Sequence, residues 1–90
     1  MATIKRLPLS AAAFTGYVGT LNLSAAAITA VLGTPYYSPS APKSTLTWCV
    51  SINGAVITVY NYKGASFNVG AFNGPAAIAA LRSVGLNAKG

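Results

Sequence analysis

The fold is decided by the stretch TLTWCVSINGAVITVYNY, which occupies residues 45–62. Apolar and polar residues alternate strictly over 45–52, and this period of two is typical of a half-buried β-strand. Asn53-Gly54 follows, a dipeptide that favours a two-residue type I′ turn because both positions accept a positive φ. Residues 55–62 then return as a second strand. The stretch therefore predicts a β-hairpin.

The two-residue turn also fixes which residues oppose each other across the hairpin. On the face predicted to pack on the core, the expected pairs are Ile52 with Ala55, Val50 with Ile57, and Trp48 with Val59. On the other face, which we call the second face, the expected pairs are Ser51 with Val56, Cys49 with Thr58, Thr47 with Tyr60, and Thr45 with Tyr62. The first set is apolar, so we expect helices to cover the first face.

Two segments before the hairpin carry helix signals. Ser10 is placed to cap a helix over 11–18, and Ser24 is placed to cap a helix over 25–32. Both segments have apolar residues at the spacing i, i+3, i+4 that makes one face of a helix. Gly33 is placed to end the second helix.

A strand and a helix are predicted after the hairpin. Residues 66–72 predict a third strand, and Gly74-Pro75 predicts the start of a last helix, because proline suits the first helical position. The resulting order, α-α-β-β-β-α, predicts an α+β fold in which helices lie on one face of a three-stranded antiparallel meander. Residues 1–8 are expected to form an N-terminal arm, and 9–90 a single domain.

The apolar positions of these elements define a predicted core. Each position lies on the first face of the sheet or on the apolar side of a helix. The members are Phe14, Val18, Ile28, Val31, Leu32, Leu46, Trp48, Val50, Ile52, Ile57, Val59, Phe67, Val69, Ile78 and Leu81.

The charge composition excludes several kinds of chemistry. The chain has 90 residues, of which 53% are hydrophobic, and its six charged side chains are all cations, giving a net charge of +6. These cations are Lys5, Arg6, Lys43, Lys63, Arg82 and Lys89. Without Asp, Glu or His, the chain lacks the usual general acids and bases and the usual metal ligands apart from one cysteine. We therefore expect neither an enzyme nor a metal site, and no cofactor.

The absence of acids is itself informative. Helix starts and turns that usually favour Asp or Glu hold Ala, Ser or Asn instead. We interpret this pattern as deliberate neutralisation, or as letters assigned from a density map, and strong selection is the third explanation. An intact mass that departs from 9.1 kDa would support the density-map interpretation.

Several short motifs resemble those of a group of phage proteins. They are Gly33-x-Pro35, a polar loop with Lys43, Leu46-x-Trp48, the run Thr58-Val59-Tyr60-Asn61-Tyr62-Lys63, and Val69-Gly70 before a helix. Over residues 33–84 this pattern resembles small phage-borne α+β proteins, in which a Tyr-Asp-aromatic-Lys string ends one strand. Asn61 stands where that string has Asp. The resemblance implies a viral origin and the cytoplasm of a host cell, and it implies no functional residue because the group has no single activity.

The second face is the best candidate for a binding site. Tyrosine supplies a large contact area at low entropic cost, although threonine and tyrosine also suit a plain solvated sheet face. The candidate binding residues are Tyr60, Tyr62, Lys63, Thr47, Tyr36 and Tyr37. The last two lie in a loop, and their alternative role is to close the end of the core.

Two weaker candidates lie further along the chain. The backbone amides near Gly70, Asn73 and Gly74 offer an anion site at a helix start, with a plain helix cap as the alternative. Strand 66–72 carries no charge or proline, so as an edge it is open to a second copy unless a segment such as 1–7 covers it.

These features predict a non-enzymatic module for protein interaction or self-assembly that binds through its sheet. The alternative is a nucleotide or nucleic-acid binder that uses Tyr60, Tyr62, Lys63 and the turn at 70–75. The expected partners are a second copy or another protein. No apolar run reaches the length of about 18 residues that a membrane span needs. Cys49 has no disulfide partner, which favours a cytoplasmic location.

Overall fold

The described residues form six strands and two helices. The computed structural model describes residues 3–8, 10, 15–37, 46–61 and 67–90. The elements in chain order are β1 Ile4–Arg6, β2 Gly16–Leu21, α1 Ala25–Leu32, β3 Tyr36–Tyr37, β4 Leu46–Ile52, β5 Ala55–Asn61, β6 Phe67–Ala71 and α2 Gly74–Ser83.

All strand pairs are antiparallel, and the strands lie in the order β1-β4-β5-β6-β2. The outer edge of β4 is shared by two short strands. β1 pairs with Val50–Ile52, and β3 pairs with Leu46 and Thr47. The fold is therefore α+β, with a sheet wider than the predicted meander.

The predicted hairpin is confirmed, including its register. Asn53 and Gly54 have φ values of 51° and 85°, as a type I′ turn requires. All the expected pairs from Ile52–Ala55 to Thr47–Tyr60 are present. The pair of Thr45 with Tyr62 lies outside the described residues. Asn53 also holds β1, because its backbone N–H donates to Thr3 O over 3.0 Å and its Oδ1 accepts from Thr3 N over 3.0 Å.

The predicted helix over 11–18 is wrong in its described part, because Gly16–Leu21 forms β2. Residues 11–14 lie outside the described residues. Two glycines disfavour a helix here, and the aromatic and β-branched residues of the segment favour a strand. Pairing with β6 then decides the outcome. The three-stranded meander and the order α-α-β-β-β-α are wrong for the same reason.

Of the two alternatives for strand 66–72, the covered strand is confirmed and the open edge is wrong. β6 is flanked by β5 on one side and by β2 on the other. The covering segment is therefore β2 and not residues 1–7, whose described part forms β1 and pairs with β4 at the opposite end of the sheet.

The two helices predicted at 25–32 and after Gly74 are confirmed. The side chain of Ser24 accepts a hydrogen bond from Ala27 N over 3.2 Å, and the side chain of Asn73 accepts one from Ala76 N over 3.1 Å. Each side chain thereby satisfies a backbone donor of the first helical turn.

Both helices pack on the first face of the sheet. Ile28 of α1 and Leu81 of α2 belong to one apolar cluster with Val50, Ile57 and Val69 of the sheet. Trp48 is 1% exposed, packs edge-on against Phe67, and donates from Nε1 to Gly33 O over 2.8 Å. Most predicted core residues are buried there. Val18, Val31 and Leu46 are only half-buried, and Phe14 lies outside the described residues.

The core also contains residues that helix and strand periodicity did not predict. They come from β2, from the small side chains of α2 and β6, and from the chain after α2. They are Leu21, Ala71, Ala77, Ala80, Leu86 and Ala88.

The segment after α2 closes the outer edge of β2. Thr20 N donates to Lys89 O over 2.8 Å, and Lys89 N donates to Thr20 O over 2.9 Å. Gly19 makes this approach possible, because a Cβ there would collide with the Lys89 carbonyl oxygen. Within the part of the chain that the structure describes, no helix has the length and apolar character needed to cross a membrane.

Candidate binding surface

The second face is built from three rows of side chains, which the strand registers place across the sheet. The row nearest the hairpin turn holds Lys5, Ser51 and Val56. The middle row holds Cys49, Thr58, Gly70 and Tyr17. The third row holds Tyr36, Thr47, Tyr60, Asn68 and Thr20. None of the apolar sheet residues in the core cluster lies in these rows.

The middle row is closed over Cys49, Thr58 and Gly70 and open at Tyr17. Cys49 is 1% exposed and Thr58 is 6% exposed, so neither is presented to solvent as the sequence pattern suggested. The ring of Tyr60 reaches diagonally over Gly70, where a Cβ would lie 3.7 Å from Tyr60 Cε1. Tyr60 therefore covers a position that has no side chain, in addition to any role in binding.

Cys49 behaves as a packed residue. Burial raises the pKa of its thiol above the ordinary value of 9.0, and the Thr58 hydroxyl opposite it counteracts part of this rise. The Thr58 hydroxyl has no other partner within the described residues, and its contact with the thiol falls short of full hydrogen-bond geometry. A neutral, buried thiol is a poor nucleophile, so this pair offers no catalytic group.

The open part of the second face lies at the β2 end of the middle row and toward the hairpin turn. Tyr17 is 64% exposed and Phe72 is 61% exposed, and they are the large hydrophobic side chains that stand furthest into solvent within the described residues. Tyr17 lies opposite Gly70, and Gly70 precedes Phe72 by two positions in the sequence. Phe72 directly follows β6, and it lines a shallow cleft of about 370 Å³ with Val56 of the second face.

The predicted site residues are only partly brought together. Thr47 and Tyr60 are directly opposite each other and half-buried. Tyr62 and Lys63 lie outside the described residues, as does the side chain of Tyr37. The exposed pair Tyr17 and Phe72 was missed, because Tyr17 was placed in a helix; its face becomes evident only once β2 is paired with β6.

Tyr36 ties the N-terminal strand to the sheet. Its hydroxyl donates to Leu7 O over 2.8 Å, and the Arg6 guanidinium carbon lies 4.2 Å from the centre of its ring. Leu7 N in turn donates to Cys49 O over 2.8 Å. These contacts give Tyr36 a structural role beside the predicted binding role.

The three residues of the predicted anion site have other partners. The Asn73 side chain occupies the start of α2 by accepting from Ala76 N. Gly70 is paired on both sides within the sheet. A Cβ at Gly74 would lie 3.3 Å from Val18. The arrangement is that of a plain helix cap beside a tightly packed glycine.

The described cations are dispersed rather than clustered. Lys5 lies on the second face, and Arg6 stacks on Tyr36 at the same edge of the sheet. Arg82 lies in the last turn of α2, and Lys89 lies beside β2 at the other edge. These positions define no continuous basic surface within the described ranges.

Fold and surface together define a small α+β protein with one aromatic sheet face. No family model, curated protein or solved structure matches the chain. The phage origin that the sequence resemblance implies stays a prediction.

Proposed function

We propose that this protein is a non-enzymatic self-assembly module, in which two copies associate through their second faces. The observation that carries the proposal is that the two most exposed large hydrophobic residues described lie at this face: Tyr17 is opposite Gly70, and Phe72 follows β6 directly and lines a cleft with Val56. Exposed aromatic side chains are enriched at protein interfaces and concentrate binding energy there.

The charge distribution favours a second copy as the partner. Two of the described cations lie at this face, Lys5 by its register and Arg6 through its stacking on Tyr36. A polyanion needs a cluster of cations to release its counterions, and a basic partner needs acids, which this chain lacks. Two cations at one edge form no such cluster, and the aromatic remainder of the face is complementary to a surface of the same kind.

Both edges of the sheet resist the addition of a strand, which favours association through the second face. β1 is a three-residue edge strand that carries Lys5 and Arg6, and short charged edges resist strand addition. At the other edge, the register of β2 shifts between Tyr17 and Gly19, and Thr20 is bonded to Lys89. Both features block the regular ladder that an added strand requires.

The area of the second face sets the affinity that we expect for the dimer. Counting β1 and β3 as one position, five strands about 4.8 Å apart and on average about six residues long, at roughly 3.3 Å per residue, give an area on the order of 500 Å². Stable complexes bury about 800 Å² on each partner. We therefore expect a weak dimer that forms reversibly with concentration.

Sedimentation velocity over a wide concentration range tests the proposal. The expected result is a monomer–dimer equilibrium that strengthens with salt, because screening reduces the repulsion between two chains of charge +6. The double variant Tyr17→Ser/Phe72→Ser should remain monomeric with an unchanged circular dichroism spectrum. Tyr17→Phe is the matched control, because it keeps the ring and should keep the dimer.

Two results would overturn the proposal. One is a wild-type chain that stays monomeric at the highest attainable concentration. The other is a double variant that dimerises like the wild type. Tight binding of single-stranded DNA that weakens steeply with salt, with no dimer, would favour the nucleic-acid function instead.

A further inference from the structure

A second surface feature lies on the other side of the molecule, in a groove of about 450 Å³ between α2 and β2. Its helical wall has the spacing i, i+3, i+4, i+7, which places four residues on one side of α2. Those residues are Pro75, Ile78, Ala79 and Arg82. The opposite wall is formed by Val18 and Gly90.

The groove exists because large and small residues are combined at this contact. Val18 is the extra residue where the register of β2 shifts, and it packs closely against Gly74. Gly90 lies against Ile78, where a Cβ would be 3.4 Å from Ile78 Cγ1. Gly74 and Gly90 let the two walls approach closely, and the short side chain of Ala79 lies exposed in the groove.

Arg82 gives the groove a chemical polarity. It is exposed in the last turn of α2, and it is the charged residue among those that line the groove. The chain contains no acidic side chain to pair with it. A guanidinium group presents a planar fork of donors that matches a carboxylate.

We propose that this groove binds an aliphatic monocarboxylate. The apolar chain of the ligand lies against Val18, Pro75 and Ile78, and its carboxylate pairs with Arg82. The volume of the groove falls in the range of about 300–1,000 Å³ that is usual for small-molecule sites. The dimer proposed above uses the opposite side of the sheet, so the two proposals stand or fall separately.

Titration of the protein with octanoate, followed by NMR, tests the inference. We expect saturable shifts at Val18, Ile78 and Arg82. Octanol, which has the same chain without the charge, and acetate, which has the charge without the chain, should each bind at least about tenfold more weakly, since every group that the ligand lacks leaves its site unpaired.

Three variants localise the effect, and each alters an exposed side chain. Arg82→Gln should weaken octanoate about tenfold, and Ala79→Trp should block the groove. Lys5→Gln removes a cation from the other side of the molecule and should leave binding unchanged. Equal binding of octanoate and octanol, shifts spread over the whole surface, or an Arg82→Gln variant with wild-type affinity would each overturn the inference.

Discussion

Substitution of one glycine in β2 tests how the chain after α2 is held. In Gly19→Ala, the new Cβ would collide with the Lys89 carbonyl oxygen and would lie 3.0 Å from the Lys89 carbonyl carbon and 3.1 Å from Gly90 Cα. These are backbone atoms, so no change of rotamer relieves the overlap. The segment must move away, and it then loses both hydrogen bonds between Thr20 and Lys89.

The expected loss of stability in Gly19→Ala follows from the two hydrogen bonds that are broken. Two backbone hydrogen bonds contribute about 1 kcal/mol each, which agrees with the range of about 1–3 kcal/mol for an overpacked position. Gly16→Ala in the same strand is the matched control, because its Cβ would meet nothing within 4 Å. That variant should change the free energy of unfolding by no more than about 0.5 kcal/mol.

Urea denaturation of both variants measures the difference in the free energy of unfolding, and amide hydrogen exchange at Thr20 and Lys89 localises it. We expect Gly19→Ala to be about 2 kcal/mol less stable than Gly16→Ala, with faster exchange at both amides. Equal stability of the two variants, with both amides still protected, would refute the proposed docking of the C-terminal segment.

Three further predictions concern the hairpin, the core and the buried thiol. Gly54→Val should cost at least about 1 kcal/mol in thermal unfolding, because Gly54 has a φ of 85° that valine does not tolerate; unchanged stability would contradict the turn. Trp48→Phe should cost about 1–3 kcal/mol, since it removes the hydrogen bond to Gly33 O and part of a buried ring, and Trp48→Ala about 3–5 kcal/mol; red-shifted, freely quenched tryptophan fluorescence in the wild type would contradict the burial. Burial raises the pKa of Cys49 above its ordinary value of 9.0. The free energy of unfolding that the neutral thiol contributes is therefore fully present below pH 9.0 and is lost as the pH rises through the pKa of the folded state. Denaturation at several pH values should therefore show that the free energy of unfolding of the wild type declines above pH 9.0, whereas that of Cys49→Ala does not. Parallel pH dependences of the two proteins would contradict this prediction.

The elements set by local signals were predictable from the sequence. The hairpin follows from strict alternation around Asn53-Gly54, α1 follows from the cap Ser24, and α2 follows from Gly74-Pro75 at its start. Each of these signals lies within a few residues of the structure that it specifies. Such short-range signals determine the register and the faces of the hairpin.

β2 was not predictable in the same way. Tyr17 and Val18 fit a helical spacing, and the preference for a strand is realised only through pairing with β6, about fifty residues further along the chain. The candidate site depends on that pairing, because Tyr17 reaches the second face only as the partner of Gly70. Burial of Cys49 and Thr58 was missed because alternation alone does not show what covers a sheet face.

The most direct test of self-assembly through the second face is an isotope-filtered NOE experiment on an equal mixture of labelled and unlabelled chains. At concentrations where the dimer forms, the account predicts intermolecular contacts among the rings of Tyr17 and Phe72 and the methyl groups of Val56. These contacts should vanish in Tyr17→Ser/Phe72→Ser. Intermolecular contacts confined to β1 or to the Thr20–Lys89 edge, or none at all on the second face, would contradict it.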